Sequence, residues 1–139
     1  MKKYLTPTMM FLTGGTLYIL LELLWRDHTH WTMFFAGGTC FSLIDKIDRL
    51  LKKGTPLWIR CTIGAAIITI IEFTVGCIVN LWAHWNVWDY SRFKTNFLGQ
   101  ICLLYTTLWF FLTVPVLWLS NTLHRIFDRI FTHQRREGG

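Results

Sequence analysis

Charge is scarce in this chain. Only 16% of its 139 residues are charged, and it has three prolines. A soluble domain of this size needs a largely polar surface. Here 53% of the residues are apolar, with eight tryptophans and eleven phenylalanines, and the mean hydropathy is +0.37. That balance excludes an ordinary soluble globule and predicts an integral membrane protein of one domain. No CxxC pair joins Cys40, Cys61, Cys77 and Cys102, so neither a zinc ribbon nor a thioredoxin motif is indicated. Each cysteine falls in an apolar run and reads as a small core residue. There is also no GxSxG elbow, no HExxH and no Walker A glycine loop. The chain therefore lacks the usual P-loop machinery for ATP hydrolysis, and no catalytic residue or cofactor is assigned. His28, His30 and His84, with Asp27 and Asp89, are residue types that bind zinc. Yet His28 and His30 are only an i,i+2 pair, so we read them as loop histidines and expect no metal.

What is present is apolar sequence in long runs. Lys2 and Lys3 precede a run from Thr6 to Trp25. Twenty residues at about 1.5 Å each match the hydrocarbon core of a bilayer. A cleaved signal peptide would start in the same way, but no small-residue cleavage site follows. The run from Trp31 to Ile44 is too short to cross unaided, and helical spacing continues through Asp45-Lys46-Ile47-Asp48-Arg49. A helix that crosses and then follows the inner interface is expected, with a re-entrant hairpin as the alternative. The turn at 52–56 leads to a third run with Glu72 in its middle, and a fourth contains Pro115. The tail around Leu123–Phe131 has the pattern of a basic amphipathic helix lying on the membrane surface. The expectation is an all-α bundle of four spans, at about 6–25, 31–48, 61–82 and 97–120. Together these form a domain over 1–122, followed by an interfacial tail over 123–139.

With four spans, the N-terminus, the 45–60 loop and the tail share a side. Eleven of the fourteen Lys and Arg residues lie there, leaving Arg26, Arg92 and Lys94 on the other. The positive-inside rule then puts both termini in the cytoplasm of a multi-pass cell-membrane protein. The net charge of +6 is accounted for by orientation and by anionic lipid headgroups, not by nucleic acid. The Met10–Thr16 and Met33–Thr39 stretches echo each other around paired glycines. Such small residues let membrane helices approach closely, so the first two helices should cross there.

The polar residues concentrate toward the outer half. Glu22 lies near the end of the first span, and Glu72 lies roughly 15 Å below the outer face by helical rise. Asn80 lies above it, Asn96 and Gln100 open the fourth span, and Trp88-Asp89-Tyr90-Ser91 lies between. On the third span Cys61, Ala65, Thr69, Glu72, Gly76 and Asn80 recur every three or four residues, a stripe that should face inward. This distribution predicts an outward-open polar cavity. The acids are either proton carriers, counter-ions or acid/base groups, or they pair with Arg26, Arg92 or Asn80 to hold the bundle together.

The Trp88–Ser91 string, Asn96 and Gly99-Gln100-Ile101-Cys102, with Glu72 and Asn80 before them and Glu22 and Arg26 earlier, resemble the ABC-transporter type IV (CmpB-like) family of small membrane proteins. The resemblance covers roughly residues 6–120. The residue before Ile-Cys in that pattern is usually arginine, so Gln100 removes a cation from this position. The resemblance implies a permease-like subunit, a separate cytoplasmic ATPase docked on the 45–56 loop, and a second copy of the chain. Three functions follow. The first is a transport component for a small solute or lipid, with Glu22, Arg26, Glu72, Asn80, Trp88, Asp89, Tyr90, Ser91, Asn96 and Gln100 as ligand-binding residues. The second is an intramembrane enzyme acting on lipid headgroups or prenyl carriers. The third is a non-catalytic adaptor.

Overall fold

The computed structural model describes residues 2–139, with the side chain of Lys2 (one of the eleven cations counted above) outside the described residues. Four helices carry the fold: α1 (Lys2–Arg26), α2 (Trp31–Leu50), α3 (Leu57–Gly76) and α4 (Leu103–Glu137). α3 runs on through wider π-type turns over Cys77–Trp82. A two-strand hairpin, β1 (Asn96–Phe97) and β2 (Ile101–Cys102), precedes α4. α1, α3 with its π extension, and α4 are each long and apolar enough to cross a membrane. α2 is 20 residues long and carries Asp45, Lys46, Asp48 and Arg49 in its last two turns. The molecule is apolar on the outside: Leu24, Trp82, Trp118 and Ile70 are all well exposed, as lipid-facing side chains are.

Two expectations change. The fourth helix begins at Leu103, not near residue 97, because Asn96–Cys102 is an antiparallel hairpin with Leu98 and Gly99 at positive φ in its turn. Asn96 and Gln100 therefore do not open a helix. The basic tail is also not a separate element. Residues 103–137 form one continuous helix through Pro115, roughly 52 Å long at 1.5 Å per residue.

α1 and α2 cross at the paired glycines, as their echo predicts, and the contact has an approximate two-fold symmetry. A Cβ on Gly14 would strike the Phe41 side chain and lie 3.0 Å from Gly37 O. One on Gly37 would strike Tyr18 and lie 3.1 Å from Gly14 O. Gly15 packs against Phe34 and Gly38 against Phe11 in the same way. Each residue of α1 thus corresponds to the residue 23 positions later in α2, running in the opposite direction. The relation reaches the ion pairs. Arg26 Nε lies 3.3 Å from Glu22, and Arg49 Nε lies 3.0 Å from Asp45. The acids sit eight residues beyond the crossing on each helix, about 12 Å from it toward opposite ends of the bundle.

Two apolar clusters fill the interior. One gathers Cys40, Ile44, Ile68 and Leu117, and the other gathers Met33, Val79 and Trp88. Gly64 admits the fully buried Thr113, bringing α3 close to α4. The α3 stripe does face inward: Cys61, Ala65, Glu72, Gly76 and Asn80 are buried. Thr69 pairs with Thr106 of α4 at 3.0 Å. The turn between α2 and α3 uses Gly54 at φ +89. Arg60 closes that turn by donating twice to Asp48, at 2.6 and 2.7 Å.

Candidate functional site

The connection from α3 to α4 is irregular, so its backbone groups need partners beyond a helix ladder. The amides of the polar string supply them. Asn80, buried in the π turns, donates to Gln100 Oε1 at 2.8 Å and accepts from Val87 N at 2.6 Å. Gln100 Nε2 donates to Leu98 O, and Trp88 Nε1 donates to Gln100 O. Asn96 donates to Phe93 O and accepts from Gly99 N, closing the hairpin turn. Tyr90 N donates to Gly99 O at 2.8 Å, which joins the Trp88–Ser91 string to the hairpin. Asp89 lies at the surface, where its Oδ1 accepts from the hydroxyl of Ser91 at 2.6 Å and from its amide at 2.9 Å. Those two donors hold its carboxyl below the usual aspartate range. Gly99 is required here twice over. Its φ is +71, and a Cβ would lie 2.8 Å from Asp89 Oδ1.

Among the described residues, Glu72 has no cation beside it. Its Oε1 accepts from the Tyr90 hydroxyl at 2.7 Å and its Oε2 from Trp109 Nε1 at 3.0 Å. Both oxygens accept, one from a phenol and one from an indole. Tyr90 stacks on Tyr105 at 4.7 Å between ring centroids. Burial, with the negative charge of Glu72 beside it, raises the Tyr90 phenol well above its ordinary value, so it remains a donor.

On the other side of Tyr90 is a cavity of about 280 Å³ between α1 and α4. Glu22, Arg26 and Tyr90 line it, with Tyr18, Trp25, Tyr105 and Trp109 forming an aromatic wall and Leu21, Leu24 and Leu108 at the exposed rim. Arg26 Nη2 donates to Val87 O at 2.8 Å and lies 3.1 Å from His28. Its Nε approaches Glu22 Oε2 at 3.3 Å, but that buried oxygen receives no aligned hydrogen bond. A second, apolar cleft of about 190 Å³ shares Tyr18 and Leu21 with the first and extends between α1, α2 and α4 to Ile44 and Leu119. Just beyond it, Asp45 accepts from Ser120 and Arg49 and lies 2.9 Å from His124 Nε2.

The structure thus divides the ten expected site residues. Glu22, Arg26 and Tyr90 meet at the cavity, and Glu72 stands directly behind Tyr90. Asn80, Trp88, Asp89, Ser91, Asn96 and Gln100 instead hold the α3–α4 connection in place. Sequence reasoning missed Trp25, Tyr105 and Trp109. Their signal was available: Tyr105 and Trp109 are four apart on α4 and so share a face, and each carries a polar atom on an aromatic ring. His30 caps α2 by accepting from Thr32 N. Among the described residues, no three His, Cys, Asp or Glu side chains gather in a metal-sized group.

A family model described as Putative ABC-transporter type IV (CmpB) matches residues 5–136. The chain belongs to this family. The match takes in all four helices and nearly all of the tail, further than the polar string and its flanks alone would reach. No solved structure matches this fold. For an ABC-transporter type IV protein with apolar helices of this length, membrane association and a transport-related role follow.

Proposed function

We propose that this ABC-transporter type IV protein is a permease-like transport component for a small solute or lipid. Its ligand enters between α1 and α4 and meets Glu22, Arg26 and Tyr90. The observation that carries this is the adjacency of the two clefts, which have Tyr18 and Leu21 as common walls. Together they make an apolar track from the Glu22–Arg26 pair to the neighbourhood of the Asp45–Arg49 pair. Two equivalent polar stations at opposite ends, related by a two-fold axis between antiparallel helices, are what an inverted-repeat transporter needs. In this reading all four helices cross the cell membrane and both termini are cytoplasmic, which puts the Glu22 station outside and the Asp45 station inside. Glu72 sets the charge behind the cavity wall through Tyr90. Four helices are few for a complete path, so two copies associate. A separate ATPase docks at the 45–56 loop, where Lys46, Lys52 and Lys53 are exposed. The enzyme alternative has less support. Asp45, Ser120 and His124 are triad residue types, but the Ser120 hydroxyl donates to Asp45 and not to the histidine.

The test is cysteine accessibility in intact cells, with the four native cysteines replaced. Leu21→Cys on the shared wall should react with a membrane-impermeant maleimide from the outer face. Leu12→Cys, exposed on the same helix but outside either cleft, should not. Equal labelling of the two, or none at Leu21→Cys, would refute the track.

A further inference from the structure

We propose that the cavity between α1 and α4 takes the ammonium head of an amphiphile, the chemistry shared by aminophospholipid headgroups and free organic amines. This rests on the cavity being a ligand site and names its ligand class. Three features select a cation. Two acidic side chains, Glu22 and Glu72, stand against one guanidinium, Arg26, in and directly behind the cavity wall. That guanidinium is already engaged by Val87 O and His28, leaving little to offer an anion. Glu22 Oε2 is buried with Arg26 Nε 3.3 Å away but no aligned donor, so an N–H group arriving beside it would supply the missing hydrogen bond.

The walls suit the same ligand. Trp109 lies 6.5 Å from Tyr18 and 6.0 Å from Tyr105, centroid to centroid, and Trp25 Nε1 reaches the Tyr105 hydroxyl at 3.4 Å. Aromatic faces attract ammonium groups, most strongly where water is excluded. An aliphatic wall would have served a neutral tail equally well, so the rings are informative. Size sets the rest. About 280 Å³ lies at the low end of ligand cavities, roughly 300–1,000 Å³. A headgroup fits, and an attached chain must leave past Leu21, Leu24 and Leu108. These three leucines are exposed where lipid tails would run.

The experiment is native mass spectrometry of the full chain released from nanodiscs. The discs contain phosphatidylethanolamine and phosphatidylglycerol with identical acyl chains, with propylammonium added or omitted. Wild type is compared with Glu22→Gln, Trp25→Leu and the cavity-filling Leu108→Trp, each first shown to melt as wild type does. Retention of phosphatidylethanolamine over phosphatidylglycerol by about tenfold is expected, equivalent to about 1.4 kcal/mol. The preference should fall in Glu22→Gln and in Trp25→Leu, and adducts should vanish in Leu108→Trp. Trp25→Leu removes a ring at an exposed position without touching a charge, so it remains informative if Glu22→Gln does not fold. Displacement by propylammonium with no lipid preference would identify a free amine as the source. Equal or greater retention of phosphatidylglycerol, still lost in Leu108→Trp, would overturn the ammonium class and leave the cavity standing. Adducts of no kind, or adducts indifferent to Leu108→Trp, would overturn both.

Discussion

The two-fold contact between α1 and α2 makes a quantitative demand. Replace Gly14 with alanine, and separately Gly37. Each new methyl would meet a side chain that cannot swing away, because the colliding atoms are the Cβ and Cγ of Phe41 in one case and of Tyr18 in the other. Carbonyl oxygens of the facing helix, at 3.0 and 3.1 Å, close off the remaining space. The helices must therefore separate. Overpacking of this kind costs about 1–3 kcal/mol, and alanine regains up to about 1 kcal/mol over glycine in a helix. A net loss of about 1–2 kcal/mol is expected for each substitution. Because the contacts are symmetric, the two losses should agree within about 0.5 kcal/mol. The double variant should cost less than their sum, since helices already separated by one methyl accommodate the second. Unfolding in mixed micelles by a denaturing detergent, followed by tryptophan fluorescence, measures all four corners of the cycle. A neutral or stabilising alanine at either position would refute the close approach. Strict additivity would refute the idea that both glycines serve a single crossing.

Two further predictions concern the polar groups. Tyr90→Phe removes one of the two donors to Glu72 and should cost about 1.5–3 kcal/mol, falling to about 0.5–1.5 kcal/mol in a Glu72→Gln background; equal costs in both backgrounds would mean the carboxylate is not held by that hydroxyl. Ser91→Ala removes the hydroxyl that most depresses Asp89. The Asp89 contribution to stability is present above the ordinary aspartate value and is lost as pH falls through its lower folded value. The carboxyl carbon shift of Asp89 should therefore titrate at higher pH in the variant than in wild type, and coincident curves would refute the assignment.

Much of the site was legible residue by residue but not as a group. Glu22, Arg26 and Tyr90 were each identifiable as polar groups out of place in an apolar chain, because an isolated polar group in hydrocarbon is costly and must have a partner. Which partner was another matter. One of the two readings paired Glu72 with a cation or an amide, and it faces a phenol and an indole. That outcome depends on how α4 is rotated about its own axis, and no periodicity within α4 specifies this rotation. Trp88, Asn80 and Gln100 stood out in the sequence for the same reason that they hydrogen-bond the α3–α4 connection. A chain leaving one helix and entering another within a membrane protein must satisfy its own backbone, and amides and an indole do so efficiently.

By itself the sequence determined the all-helical class, the apolar runs and the glycine crossing, because composition, length and small-residue spacing act locally along a chain. Residues 96–102 show where local information ends. Their composition continues smoothly into the apolar run, but Gly99 O and Gln100 O are taken by Tyr90 N and Trp88 Nε1 from outside the segment. With those carbonyls engaged by the preceding loop, the chain turns at Leu98–Gly99 and α4 starts at Leu103. Likewise the acid–arginine spacing at 22/26 and 45/49 could be read in one dimension. Only the antiparallel packing of α1 on α2 makes it a two-fold relation with a station at each end, because that symmetry belongs to the contact between helices.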